Sequence, residues 1–464
     1  MSGTAPSSAS KGMDLGDPRL RRLLFRVGMP SMIGLSINAL YQLVDMIFVG
    51  HLSVAAVSAV SAAAPLVLAM AALGEGVGVG AGAALSRALG AGEHGRVAAI
   101  VATAGALALG IGALLLVALI AMQGQVPLLY AGGTESNRLA QRYVGILLAG
   151  GTLILLQILC DFIAIAKGHT AFSMWTLITA FSVNLILDPI LIFGLGWGVA
   201  GAAWATVIAA AVALVIYTYY FTYGPSLVRP RELLRRPTAA LVRAILAIGG
   251  PAAGSTLMAA LAFGLMYRAA SPYGETAVAG MGISLRLLNA GILPMAGFCL
   301  GAQAVLGHSW GAGDGARTRR AVLIVLGLAS AFAFTYATVM VTSAPWIVTL
   351  FTDAAAARAH ALQAIATMHP AFALAGLPMV TTVLLRAKGH AKHAGLLALA
   401  PQGYLLLPGV LLLPEVWGFT GLLASHPLAL TLAAVAAGCL LYRELEHCRA
   451  NNAAPAKPPP EVLT

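Results

Sequence analysis

Charge is what this sequence has least of: Asp, Glu, Lys and Arg make up 9% of its 464 residues, against 59% hydrophobic, and the mean hydropathy is +0.89. So little charge excludes a disordered chain and an ordinary soluble domain. Ten-residue strands of alternating character are missing too, which excludes a membrane barrel. The four cysteines, Cys160, Cys299, Cys439 and Cys448, contain no CxxC pair and read as packing residues. No GxxxxGK[ST] loop occurs, so the chain does not hydrolyse ATP by that machinery, and the ten histidines form no HExxH and no cluster at metal-ligand spacing. With no nucleophile or acid–base cluster at an interface either, the expectation is no enzyme, no cofactor and no resident metal.

What remains is apolar runs of 20 residues or more, rich in Ala, Leu and Gly. Each bilayer crossing takes about 20 apolar residues as a helix, and helices satisfy their own backbone polar groups in lipid. The fold class expected is an all-α integral membrane protein of twelve transmembrane helices, with spans near 24–50, 57–86, 97–122, 139–166, 173–195, 199–223, 240–270, 277–305, 321–344, 360–386, 394–413 and 418–442. An even number puts both termini on one face. Of the 27 Lys and Arg, 22 fall in the termini and even-numbered connections, four (Arg138, Arg142, Arg268, Arg358) on the other face, and Arg286 inside a span. The positive-inside rule then makes both termini cytoplasmic, in a cell inner membrane. Residues 1–18 are polar and lead straight into "RLRRLLFR", with no cleavable signal peptide expected. The net charge of +11 reports topology, with anionic lipid contact at "RPRELLRRP", rather than nucleic-acid binding.

The chain repeats itself. Pro30 in "VGMP" matches Pro251 in "IGGP", "GAG" at Gly90 matches "GAG" at Gly311, and "AKGH" at Ala166 matches "AKGH" at Ala387, all at a separation of 221 residues. "WGVAG" from Trp197 and "WGFTG" from Trp417 follow at 220. Four matches in register imply two six-helix halves, and six being even, the halves enter the membrane in the same orientation as parallel repeats, with substrate expected in the cleft between them. The division expected is a disordered tail over 1–20, an N-terminal lobe over 21–223, a linker over 224–239 carrying Pro225, Pro230 and Pro237, a C-terminal lobe over 240–445 and a tail over 446–464.

Acids inside a membrane are costly and point to function. Twelve of the 16 Asp and Glu lie in tails and loops, leaving Asp45, Glu75, Asp161 and Asp188. Counting rise along each span puts Asp45, Asp188 and Thr206 at one level in the outer half of the bilayer. Asn184 precedes Asp188 by four residues and shares its face, and Pro189 frees a carbonyl one turn back. Asp45, Asn184, Asp188 and Thr206 are therefore the candidate ion-coupling site, suited to a proton or to Na⁺. Asp161, shortly before Lys167, reads as an interfacial ion pair, and Glu75 reads equally as packing or as functional. Gly74, Gly78 and Gly82 recur every fourth residue, a spacing for close helix approach rather than for phosphate. Adaptable and aromatic side chains offer a substrate cavity: Tyr41, Gln42, Met46, Trp175, Phe181, Met266 and Arg286, with Met258, Met281 and Met295 as further candidates. Pro30 is the expected hinge of the first helix.

The strings "VDMIFVG", "SRALGAGE", "AKGHT" and above all "NLILDPILIFGLGWGVAGAAWAT" resemble the multidrug and toxic compound extrusion (MATE) family, over residues 20–445. The resemblance implies a two-lobed antiporter that expels amphipathic, often cationic compounds against inward H⁺ or Na⁺. Within the family the acids here match the DinF-like branch, whose coupling residues sit in the first lobe at the positions of Asp45, Asn184, Asp188 and Thr206. The second lobe departs from the NorM-like branch: the repeat-mates of Asp45 and Asp188 are Met266 and Gly409. The partners implied are small amphipathic substrates and membrane lipid, with the chain a monomer. The alternative reading is a lipid or lipid-linked saccharide flippase of the same superfamily.

Overall fold

A computed structural model describes residues 14–50, 52, 54–121, 134–223, 237–351 and 355–450, and among these every regular element is a helix. The first lobe holds α1 (Leu20–Gly50), α2 (Val54–Gly90), α3 (His94–Ala121), the bent pair α4 (Thr134–Ala149) and α5 (Gly151–Ala166), α6 (Thr170–Pro189) and α7 (Val199–Tyr223). The second holds α8 (Ala239–Ala270), α9 (Glu275–Gly311), α10 (Gly315–Thr342), the short α11 (Ala344–Thr349), α12 (Ala355–Met368), α13 (Gly376–Lys388), α14 (Ala391–Leu399) and α15 (Leu406–Ala450). Eight helices are long and apolar enough to cross a membrane, or ten with each bent pair taken as one span, among the described residues. The 31-residue α1 adds another. The last comes from Gly418, whose φ of 56° and ψ of −140° break α15 into two arms. Twelve spans result, as the hydropathy pattern predicts.

The sequence repeat is a repeat of backbone geometry. Gly168 and Gly389, both at φ +83°, end α5 and α13. At each, the following His N–H reaches back five residues, His169 to the Ala164 carbonyl and His390 to the Leu385 carbonyl, both at 2.9 Å. Only glycine takes this left-handed turn without strain. Gly198 and Gly418 share φ +56° and turn the last hairpin of each lobe. The fourth span is bent in both halves, by 54° at Gly150 and by 41° near Ala375. Helix α1 runs through Pro30 and α8 through Pro251.

The lobes meet along two seams, α1 against α9 and α2 against α8. Equivalent glycines make both. A Cβ on Gly76 would lie 2.9 Å from the Gly249 carbonyl oxygen, and one on its repeat-mate Gly297 would lie 2.5 Å from that of Ser31. Gly80 abuts Ile245, while its mate Gly301 abuts Val27. On α2, residues two apart point to opposite faces. The glycines predicted to pack, Gly74, Gly78 and Gly82, thus turn inward onto Leu155, Ile158, Phe162 and Ala166 of α5, while Gly76 and Gly80 turn to the other lobe. These close approaches lie in the halves of the helices nearest the chain termini, where Gly90 also meets His308 and Gly311 meets Arg87.

Two boundaries differ from expectation. The tail expected to run to residue 20 is held from Leu15, whose side chain is buried and whose carbonyl, with those of Gly16 and Asp17, accepts from the Arg317 guanidinium at 2.7 to 2.9 Å. At the other end, α15 continues to Ala450, because Glu444 is held by Lys388 and His390 of the α13–α14 turn. The linker segment 224–236 and the ends 1–13 and 451–464 lie outside the described residues.

Candidate functional site

Helix α6 carries the two polar residues read as one face, and both are enclosed: Asn184 is 1% exposed and Asp188 0%. The Asn184 amide donates to Thr206 Oγ1 at 3.5 Å, and that hydroxyl donates in turn to the Ala202 carbonyl at 3.1 Å. The hairpin between α6 and α7 sets this register. After Pro189, which has no N–H to give, the helix widens into a π turn over Ile190–Gly194, closed by Leu195 N–H to the Ile190 carbonyl at 2.8 Å. Gly196 and Gly198 then reverse the chain with positive φ, and Gly201 lets α7 settle on the Leu191 and Ile192 backbone. Three of the four candidate residues are thus brought together.

The fourth, Asp45, stands on α1, and its side chain, with those of Tyr41, Gln42 and Met46, lies outside the described residues. α1 and α6 run in the same direction through the bundle and pack together, where a Cβ on Gly34 would lie 3.4 Å from a Leu177 methyl carbon.

The other intramembrane acids have different surroundings. Asp161 accepts hydroxyl bonds from Ser173 on α6 and from Tyr217 on α7 at 2.7 Å, joining α5 to both neighbours. Lys167 places its ammonium 5.1 Å over the Phe221 ring. Sequence spacing to Lys167 pointed toward a cation, and the hydroxyls were invisible because they come from other helices. Glu75 crosses between lobes: it accepts from Thr256 of α8 at 3.0 Å and lies near the half-buried Arg386 of α13. One turn from the end of α2, Arg87 donates to the carbonyls of Arg386 and Ala387 at 2.8 and 3.1 Å.

For three of the cavity candidates the structure makes a correction. Met266 is 0% exposed, locked in the second-lobe core with Met281 and Met295, and fills a core rather than lining open space. The thioether packs there because bilayer helices offer apolar gaps of irregular shape. Trp175 is 62% exposed, Phe181 is half-buried and Arg286 is exposed beside Tyr267.

Comparison with known proteins gives the same architecture. The multidrug export protein MepA of Staphylococcus aureus strain RF122 is 25% identical over 426 residues, covering 91% of this chain and 93% of its own. MepA of Staphylococcus saprophyticus is 26% identical over 422 residues, covering 90% and 93%. A MATE crystal structure in the bent conformation superposes with a TM-score of 0.89 at 23% identity, over 96% of this chain and all of that one. An outward-facing multidrug resistance MATE transporter gives 0.87 at 24%, over the same shares. The MatE family model matches residues 30–190 and 251–400, one stretch in each lobe. The chain, a membrane transporter of two six-helix lobes, belongs to the MatE family.

Proposed function

We propose that this chain is a multidrug efflux antiporter of the cell inner membrane, with both termini cytoplasmic, that exports amphipathic cationic compounds in exchange for inward H⁺ or Na⁺. The observation that carries the reading is Asp188, 0% exposed inside a membrane span and grouped with Asn184 and Thr206. A carboxylate withdrawn from water is costly unless it is paired or protonated, which makes one inside a membrane span a mark of function. In this reading the carboxylate of Asp45, on the neighbouring helix α1, meets that of Asp188 in a low dielectric, where both cannot easily stay charged and a cation is readily exchanged. The relatives named as multidrug export proteins support the cargo class.

In this scheme Asp45, Asn184, Asp188 and Thr206 bind the ion from the outer face. The first lobe then repacks, with Pro30 as the bending point of α1, and cargo leaves outward. The seams at Gly76, Gly80, Gly297 and Gly301 keep the cytoplasmic side shut meanwhile. The test is efflux of a cationic dye from vesicles under a pH gradient and a Na⁺ gradient applied separately. Efflux under one gradient, lost in Asp188→Asn and Asp45→Asn, is expected. Response to neither, with lipid-linked substrate moved instead, would establish the flippase reading.

A further inference from the structure

The first lobe holds a cleft that neither the ion site nor the seams use. α3 and α7 both pack on α5, and between them lies a cavity of about 440 Å³, walled by Leu109 of α3, Leu156, Leu159 and Ile163 of α5, and Leu214 of α7. Gly105 of α3 lines it too, and a Cβ there would meet nothing within 4 Å, so the space is open beside the backbone. Its rim faces outward: Leu109 is 52% exposed, and Val215 and Tyr219 of α7 are each 68% exposed. Apolar side chains exposed at membrane depth have hydrocarbon as their solvent.

The cleft is as deep as one leaflet. Its α5 wall runs from Leu156 to Lys167, eleven residues or about 16 Å, and ends at the face that bears the chain termini. Half of a hydrocarbon core is about 15 Å. Only at that end does the lining become charged. The buried Lys167 sets its ammonium 5.1 Å over the Phe221 ring, with Thr218 and Thr222 beside it on the α7 wall. Asp161, six residues earlier, accepts from Ser173 and Tyr217. The repeat-mate of Lys167 is Lys388, which also stands over a ring, Trp310 at 4.1 Å, and is met there by the Glu444 carboxylate. This place in the repeat therefore accommodates an ammonium, a ring and an anion together. A second cleft of about 410 Å³ adjoins the first at Leu214 and Thr218 and reaches Leu153.

We propose that the first lobe binds an anionic glycerophospholipid of the leaflet at the termini-bearing face, one acyl chain in the cleft between α3 and α7 and the phosphate on Lys167. The adjoining cleft takes the second acyl chain. An apolar slot one leaflet deep that ends on a cation fits this chemistry, and a cationic cargo would meet repulsion there. The excess of Lys and Arg read at this face favours an anionic headgroup over a zwitterionic one. The site stands whether or not Asp188 couples transport.

The test is native mass spectrometry of the purified, full-length protein with phosphatidylglycerol, phosphatidylcholine and diacylglycerol of identical acyl chains. One phosphatidylglycerol should be held more tightly than either of the others. Gly105→Phe fills the cleft and should lose that lipid. Lys167→Met keeps an apolar stem; it should weaken phosphatidylglycerol about fivefold and leave diacylglycerol unchanged. In wild type, phosphatidylglycerol carrying a photoreactive group midway along one acyl chain should label the peptides of α3, α5 and α7 that line the cleft. Labelling spread evenly over all spans, equal affinity for the three lipids, unchanged phosphatidylglycerol binding in either variant, or displacement of the lipid by a cationic dye would each overturn the site. The photolabelling is read on wild type, so it decides the matter even where a variant fails to fold.

Discussion

Single residues in this molecule divide by what holds them. Asp188 is enclosed one turn after Asn184 in a membrane-spanning helix, whereas Asp161 is fastened by two hydroxyls from neighbouring helices. The same substitution therefore has different outcomes. Asp188→Asn keeps shape and hydrogen-bonding capacity, so the protein should purify as a monodisperse species yet lose ion-driven efflux by at least about tenfold, equivalent to 1.4 kcal/mol. Tyr217→Phe removes one bond to a buried carboxyl and should lower stability by about 1–3 kcal/mol, read as a drop in thermal midpoint. Coupled efflux by the surviving folded fraction of Tyr217→Phe should be unchanged; its loss would place Asp161 in the transport path. The polar residues of the α6–α7 hairpin were legible in sequence, because Asn184 and Asp188 are four apart and lie in one continuous string. The hydroxyls on Asp161 were not, since Ser173 and Tyr217 stand on other helices and reach it only after α5, α6 and α7 pack.

At the scale of the helix, α2 is the element that faces both ways. Its glycines at 74, 78 and 82 serve the lobe interior, and those at 76 and 80 serve the seam. Gly78→Leu should drive into Phe162 and destabilise the lobe itself, lowering the yield of folded protein. Gly80→Leu should fold but hold the lobes apart at the termini-bearing face, and abolish efflux. Equal folding defects in the two variants would contradict the division. The same helix supplies the polar ties across the seam, Glu75 to Thr256 and Arg87 to the Arg386 and Ala387 carbonyls. A hydrogen bond of this kind contributes about 0.5–1.5 kcal/mol. Thr256→Val should therefore shift the lobes toward opening at that face. The measure is faster labelling by an impermeant maleimide of a cysteine placed at Ala253, whose Cβ would lie 3.0 Å from a Cβ on Gly76, in a cysteine-free background. An unchanged labelling rate would mean the tie does not hold the seam.

For the whole molecule, the decisive fact is that two equivalent halves close on each other at one end. Gly90 against His308 and Gly311 against Arg87 form a crossing related by the repeat. A transporter that opens alternately to the two faces must separate that crossing in every cycle. Gly90→Ala would set a Cβ 2.0 Å from the His308 carbonyl oxygen, so it should part this crossing and stop efflux; wild-type efflux by that variant would show that the close approach here is not needed. Arg317, which binds the Leu15, Gly16 and Asp17 carbonyls, ties the start of the chain to the second lobe, so the first residues travel with that lobe rather than with α1.

Sequence by itself determined that the chain is a helical membrane protein, that it is built twice over, and where each half turns. Hydropathy depends on composition along one helix, and the left-handed turns at Gly168, Gly198, Gly389 and Gly418 depend on local backbone sterics. Only the tertiary structure decided which faces meet. Lipid is as apolar as a helix interface, so no pattern of hydrophobicity distinguishes Met266 in a packed core from a methionine facing a cavity or the bilayer. That distinction comes from the rotation of each helix against its neighbours, and with it come the hydroxyls on Asp161 and the tie at Glu75.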